Sequence, residues 1–217
     1  MESMRHTRTS GRIVRLKDGR QVALRVAGSE DVSAVQQFVR GLSYQSRRNR
    51  FFAPVRELSP DQLERLTRSR SPGELALVAE TTEGAPSRVV AMAQYAVCEP
   101  LDVEFAVVVD DAWQRQGLGI QLLRLLAEHA ARAGLAAFNG FVLADNWPML
   151  ALLARLDCEL VTDHDPRLMR VVMRLDPHEL AARQYPLASS CAFALADPIP
   201  FSIPTGHIED VANVLFH

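Results

Sequence analysis

Two features within residues 101–135 can do chemistry in this 217-residue chain. The first is the run Gln114-Arg115-Gln116-Gly117-Leu118-Gly119, which follows an apolar stretch and opens a leucine-rich one. Two glycines at such a junction let backbone approach a ligand closely. A helix that starts there presents unpaired N–H groups and the positive end of its dipole. That combination suits an anion, best a phosphate or pyrophosphate. The second feature is Glu104, the only charged residue between Val103 and Val109. A half-buried carboxylate has its pKa pushed up toward neutrality, which improves it as a general base.

Each feature has an ordinary reading beside the chemical one. The glycine run reads equally as a strand–helix turn with no ligand. Glu104 reads as a solvated or arginine-paired side chain on an open strand face. Known phosphate motifs narrow the choice. The dinucleotide fingerprint requires a third glycine where Leu122 stands, and the P-loop requires a lysine that does not follow Gly119.

The elements that must position these residues follow from periodicity. Residues 103–109 form a β-branched apolar run, a buried strand. Over 117–133, Leu118, Leu122, Leu125, Leu126 and Ala130 recur at helical spacing, Arg124, Glu128 and Arg132 face outward, and Gly134 is a C-terminal stop. Upstream, β-like runs at 12–16 and 21–26 flank Lys17-Asp18-Gly19-Arg20, a hairpin signal. A helix follows over 32–42, burying Val35, Phe38, Val39 and Leu42. Residues 43–56 are polar, then aromatic at Phe51-Phe52, and their arginines read as a solvated basic face. Ser59-Pro60-Asp61 starts another helix. Strands at 74–81 and 88–98 join 103–109 in an antiparallel meander. After the long helix come a strand (136–144), a short helix opened by Asn146 (146–156) and strands at 159–162 and 168–175. The order β–α–α–β–β–β–α–β–α–β–β predicts an α/β fold, a mixed, mostly antiparallel central sheet with helices on both faces.

Composition bounds the rest. Hydrophobic content is 48%, charged content 23% and formal net charge −2, which gives no electrostatic case for nucleic acid or a membrane surface. No apolar run approaches the roughly 20 residues of a membrane span, and the N-terminus lacks the apolar core of a secretory signal. Cys98, Cys158 and Cys191 are odd in number and in no metal-ligand spacing, so they read as reduced, buried thiols of a cytoplasmic protein. The histidines form no cluster, and no metal site is expected. Trp113 and Trp147 read as packing anchors. Residues 1–11 read as a flexible tail and 12–176 as one domain. Residues 177–217, too apolar for a plain disordered tail, read as an extension that packs on the domain or on a second subunit, so a homodimer is one outcome.

The pattern Gln-x-x-Gly-x-Gly after a strand, filled by Gln114, Gly117 and Gly119, resembles motif A of the GNAT superfamily of acetyl-CoA-dependent N-acetyltransferases. The resemblance extends over 12–176. It rests on Leu42-Ser43 with Ser46-Arg47 and Arg50-Phe51-Phe52, Leu58-Ser59, Ala76-Leu77-Val78-Ala79, Glu104-Phe105-Ala106-Val107, Trp113-Gln114, and Leu143-Ala144-Asp145-Asn146 with Met149-Leu150. In this order and spacing they are most similar to GNAT domains of the bacterial protein lysine acetyltransferase type.

The resemblance implies a GNAT fold and direct acetyl transfer from acetyl-CoA to an amine, with no metal. Gln114, Arg115, Gln116, Gly117, Leu118 and Gly119 would hold the pyrophosphate. Val107, Val108 and Val109 would offer free backbone groups to the pantetheine arm, on a strand that in GNAT proteins splays from its neighbour, often at a bulge. Glu104 would be the general base, and Asn146, locally an N-cap, would also hydrogen-bond the cofactor arm. Many GNAT enzymes carry a tyrosine seven residues after that asparagine to protonate the leaving thiolate; Leu153 stands there, which removes the usual general acid. The acceptor is a protein lysine or a small-molecule amine. An acidic acceptor cleft would favour a small-molecule acceptor: a polyamine, an amino acid or an antibiotic. A non-catalytic acyl-CoA-binding sensor is the alternative.

Overall fold

The computed structural model describes residues 11–53, 55–68, 73–84, 86–99 and 102–175. The tail of residues 1–10, the proposed extension 177–217 and Cys191 lie outside them. Alternating apolar runs become eight strands: β1 Arg12–Arg15, β2 Gln21–Val26, β3 Glu74–Thr81, β4 Val89–Glu99, β5 Asp102–Val109, β6 Ala137–Leu143, β7 Glu159–Thr162 and β8 Leu168–Arg174. They form one sheet in the order β1-β2-β3-β4-β5-β6-β8-β7. Every neighbouring pair is antiparallel except β5 and β6. The β1–β2 hairpin turns at Asp18-Gly19, where Gly19 takes φ +90°.

Among the described residues five α-helices cover the two faces: α1 Val32–Gly41, α2 Tyr44–Phe51, α3 Pro60–Arg68, α4 Leu118–Arg132 and α5 Trp147–Ala154. Side chains of α1 and α3 pack on Val78, Met92 and Val108. Those of α4 and α5 pack on Ala93, Phe105, Phe138 and Val171 on the other face. Strand alternation therefore sends Glu104, Ala106 and Val108 toward the α1–α2–α3 layer and Phe105, Val107 and Val109 toward α4. Helix α4 ends at Gly134, in the left-handed conformation at φ +81°, as its sequence predicts.

The sheet splits in its middle. β5 and β6 pair only at Glu104 and Asn139. Beyond that point β5 stays with β4 as far as Val109, and β6 stays with β8 as far as Leu143. The apex of the split is tight: a Cβ on Gly140 would sit 3.1 Å from Cε1 of Phe105. The Phe105 ring stacks on Phe138 with centroids 5.4 Å apart. The register of residues 103–109 with β4 is unbroken. The separation thus comes from two strands diverging, not from a bulge within this stretch.

Three expectations are corrected. Residues 44–51 are helical; Ser43 caps them by accepting from the Ser46 N–H, and the helix buries Ser46 and Arg50 rather than an apolar stripe. The basic segment is therefore not a uniformly solvated face, because Arg50 is only 7% exposed. Trp113 is a packing anchor at 6% exposed, under the Arg20 guanidinium 3.8 Å from its ring, but Trp147 is 73% exposed and anchors nothing. Cys98 and Cys158 are half-buried rather than buried.

Candidate active site

A cavity of about 550 Å³ occupies the split between β5 and β6. It brings together Glu104, Val107, Val108, Val109, Gln114, Arg115, Gly117, Gly119 and Asn146, residues separated by more than 40 positions in sequence. Gln116 and Leu118 complete the loop and helix start, with Leu118 buried beneath.

The turn from β5 to α4 is built from two left-handed residues, Arg115 at φ +60° and Gly117 at φ +89°. Arg115 stores strain of about 1 kcal/mol, of a kind found where backbone is shaped for a ligand. The first turn of α4 has N–H groups with no intrahelical partner by helix geometry. A Cβ at Gly117 would meet nothing within 4 Å, so open space lies in front of the turn. Gly119 plays a different part: a Cβ there would lie 2.8 Å from Cδ1 of Leu152. Its small size seats α5 against α4. The β1–β2 hairpin braces this turn through the Lys17 N–H, which donates to the Gln116 carbonyl at 3.2 Å, and through Arg20, which donates to the Ala112 carbonyl at 3.0 Å.

The Gln114 side chain is structural. Its Nε2 donates to the Val109 carbonyl at 3.0 Å and to Ser46 Oγ at 3.1 Å. Ser46 Oγ and Ser43 Oγ donate to Asp111 Oδ1 at 2.9 and 2.7 Å, and the Ser43 N–H donates to Oδ2 at 3.0 Å. Burial pushes the Asp111 carboxyl up, but these hydrogen bonds outweigh it and hold it below the ordinary range. At its other end α2 reaches the β6 arm, where Arg48 meets Asp145 at 3.0 Å. So α2 roofs the split, tied to both arms.

The three valines are not equivalent. The Asp110 N–H donates to the Val90 carbonyl at 2.9 Å. By antiparallel alternation the backbone of Val108 also turns to β4, and the backbones of Val107 and Val109 turn into the split. Asn146 is a true N-cap, accepting the Met149 N–H on Oδ1 at 3.4 Å. It is 8% exposed and lines the cavity, and among the described residues its only side-chain hydrogen bond is this cap. Leu153 is fully buried in the core.

Sequence reading missed Lys17, Ser46, Asn49, Arg50 and Arg155, all of which line the cavity. Hairpin proximity, helix register and a polar residue at an inward helical position locate them, and none is a motif. Among the described residues four cationic side chains (Lys17, Arg50, Arg115, Arg155) line the cavity against two carboxylates (Glu104, Asp111). Among the described residues no helix is long and apolar enough to cross a membrane, and no group of three or more His, Cys, Asp or Glu could hold a metal.

A model of the acetyltransferase (GNAT) family matches residues 43–157, just over half the chain. This chain is a GNAT-family acetyltransferase. The "Acetyltransferase PA5475" of Pseudomonas aeruginosa is 34% identical over 152 residues, covering 70% of this chain and 81% of the relative. In fold, the acetyltransferase resembles the GNAT domain of S. lividans PAT (TM-score 0.68, 24% identity, 76% of this chain and 96% of that one). It also resembles yncA of Salmonella typhimurium, solved with acetyl-CoA (TM-score 0.59, 20% identity, 72% and 95%). The GNAT family uses acetyl-CoA, and the residues of this acetyltransferase fit it. Among the described residues the cavity lining includes cationic side chains, whose charge suits its phosphates, and open space lies in front of Gly117.

Proposed function

We propose that this acetyltransferase moves the acetyl group of acetyl-CoA directly to an amine, a protein lysine or a small-molecule amine, with Glu104 as general base. The observation that carries the reading is the place of Glu104. It sits where β5 and β6 part, on the face roofed by α2, and lines the cavity. Asp111, the other carboxylate there, is committed to Ser43 and Ser46.

The remaining roles follow from geometry. The N–H groups of 117–119, with Arg115 and Lys17, hold the pyrophosphate. The backbone groups of Val107 and Val109 pair with the pantetheine arm as an added strand would. An N–H in that stretch faces the thioester carbonyl oxygen as negative charge develops on it. The Val109 carbonyl already accepts from Gln114, so its N–H and the groups of Val107 carry this duty. Asn146 Nδ2 donates to the arm. Val108 contributes packing only. With Leu153 in the core, the thiolate leaves without a proton from that position. The working unit is 12–176 in the cytoplasm.

Thiol release from acetyl-CoA, compared between wild type and Glu104→Gln over a panel of amines and lysine peptides, tests this. Glu104→Gln is expected to lose on the order of 100-fold in kcat while acetyl-CoA affinity stays within about threefold. Equal turnover by both proteins would remove the base. Binding by both with turnover by neither would make the protein an acyl-CoA-binding sensor.

A further inference from the structure

Among the described residues Arg50 is a buried cation without a counter-charge. Its side chain is 7% exposed and lines the cavity, and no described residue gives it a hydrogen bond or ion pair. Nη1 is fully shielded and unpartnered. Its guanidinium carbon lies 4.9 Å from the centre of the Phe51 ring. Burial alone pulls its pKa down to about 10, which leaves it charged at neutral pH. A buried, unpaired guanidinium is costly, and native structures tolerate one chiefly where a ligand completes it.

Its position says which ligand. Arg50 is one helical turn after Ser46, so both project from the inner face of α2 into the split. That is the face of the sheet to which Glu104 and Gln94 point, and Oε1 of Gln94 is also buried without a partner. The phosphates of the donor belong elsewhere, at the Gly117 turn with the exposed Lys17 and Arg115. What remains on the Glu104 side is the acceptor. Among the described residues the lining carries four cations against two carboxylates, a balance that disfavours a polyamine.

We propose that Arg50 is the acceptor's anion-recognition residue, and that the preferred acceptor is an amine bearing a carboxylate, an amino acid rather than a lysine within a capped peptide. The guanidinium fork takes the carboxylate in paired hydrogen bonds, which aims the amine at Glu104. The proposal rests on the reading of that face as the acceptor side.

The test uses the full chain. Acetyl transfer to free amino acids is compared with transfer to their carboxamides and to terminally capped lysine peptides, in wild type, Arg50→Met and Arg50→Lys. In parallel, calorimetry on CoA-loaded protein measures binding of N-acetyl amino acids and their amides. Wild type is expected to prefer acid over amide on the order of 100-fold in kcat/KM, since a buried amide leaves the guanidinium unpaired. In Arg50→Met that ratio falls toward 1, and Arg50→Lys regains about tenfold of it as a point charge without the fork. Arg50→Met also melts at a higher temperature than wild type, as removal of an uncompensated buried charge requires. Equal use of acids, amides and capped peptides by wild type would overturn the proposal and leave acetyl transfer standing. Arg50-dependent binding of the acids without transfer to any amine would uphold the proposal and remove Glu104 as base. Neither transfer nor Arg50-dependent binding would remove both.

Discussion

At the residue scale, two glycines of one motif do different work. Gly117 is needed for its backbone: at φ +89° any side chain is strained, although its Cβ would meet nothing. Gly117→Ala is expected to cost about 1 kcal/mol of stability and, by reshaping the anion cradle, about tenfold in acetyl-CoA affinity, read by a thermal melt and by calorimetry. Gly119 has no such strain. Its added methyl meets the flexible end of Leu152 at 2.8 Å. Gly119→Ala should therefore change affinity less than Gly117→Ala, and Leu152→Val in the same chain should restore its melting temperature. If the two glycine variants lost affinity equally, the division of labour would be wrong.

At the element scale, α2 decides whether the split is roofed. Apolar burial holds it little, because its inward residues are Ser46 and Arg50. Its anchor is Asp111, whose carboxylate takes three hydrogen bonds from Ser43 and Ser46. Asp111→Ala is expected to cost about 1 kcal/mol, or roughly 3 °C in melting temperature, and to raise the acceptor KM more than the acetyl-CoA Kd. The pH dependence follows from the lowered pKa of Asp111 in the fold. A carboxyl depressed on folding contributes its stability above the unfolded value of 3.8 and loses it as pH falls through the lower folded value. The melting difference between wild type and Asp111→Ala should thus be flat from about pH 5 to 8 and shrink only below about pH 4. A difference that vanished near pH 6 would contradict this.

At the scale of the whole molecule, one buried ionic cluster ties the sheet to the helical layer above it. Arg25 on β2 meets Asp31, before α1, through two bonds of 2.6 Å, and Glu80 on β3 at 3.1 Å. All three are nearly inaccessible to water. Hydrogen bonds donated to Asp31, opposed by burial and reinforced by Glu80, raise the Arg25 pKa above its usual value. Arg25→Ala would strand two carboxylates in the interior, and a loss of about 3–5 kcal/mol in urea-unfolding free energy is expected. The cluster is remote from the split, so acetyl-CoA affinity measured on folded protein should hold. A parallel loss of affinity at full stability would mean that the cluster serves the site.

How much of this was legible depends on whether the signal is local. The strands and α4 were, because β-branched runs and leucine spacing act through near neighbours, and Gly134 terminates α4 by a conformation only it takes easily. So was the family, through the ordered pieces from Leu42 to Leu150. Helix α2 was not, because its pattern buries serine and arginine and periodicity reads apolar stripes. Nor was the different orientation of Val107, Val108 and Val109, since hydrogen-bond alternation is set by which strand lies on each side. The sequence by itself determined the strands, α4, the order of the meander and the glycine-bearing turn at Gly117–Gly119. Tertiary structure alone decided that β5 and β6 part after Glu104 and Asn139, that α2 bridges the gap, and that Arg50 lies buried there with no partner among the described residues. Those are contacts between residues far apart in the chain, and their energy exists only once the sheet has closed.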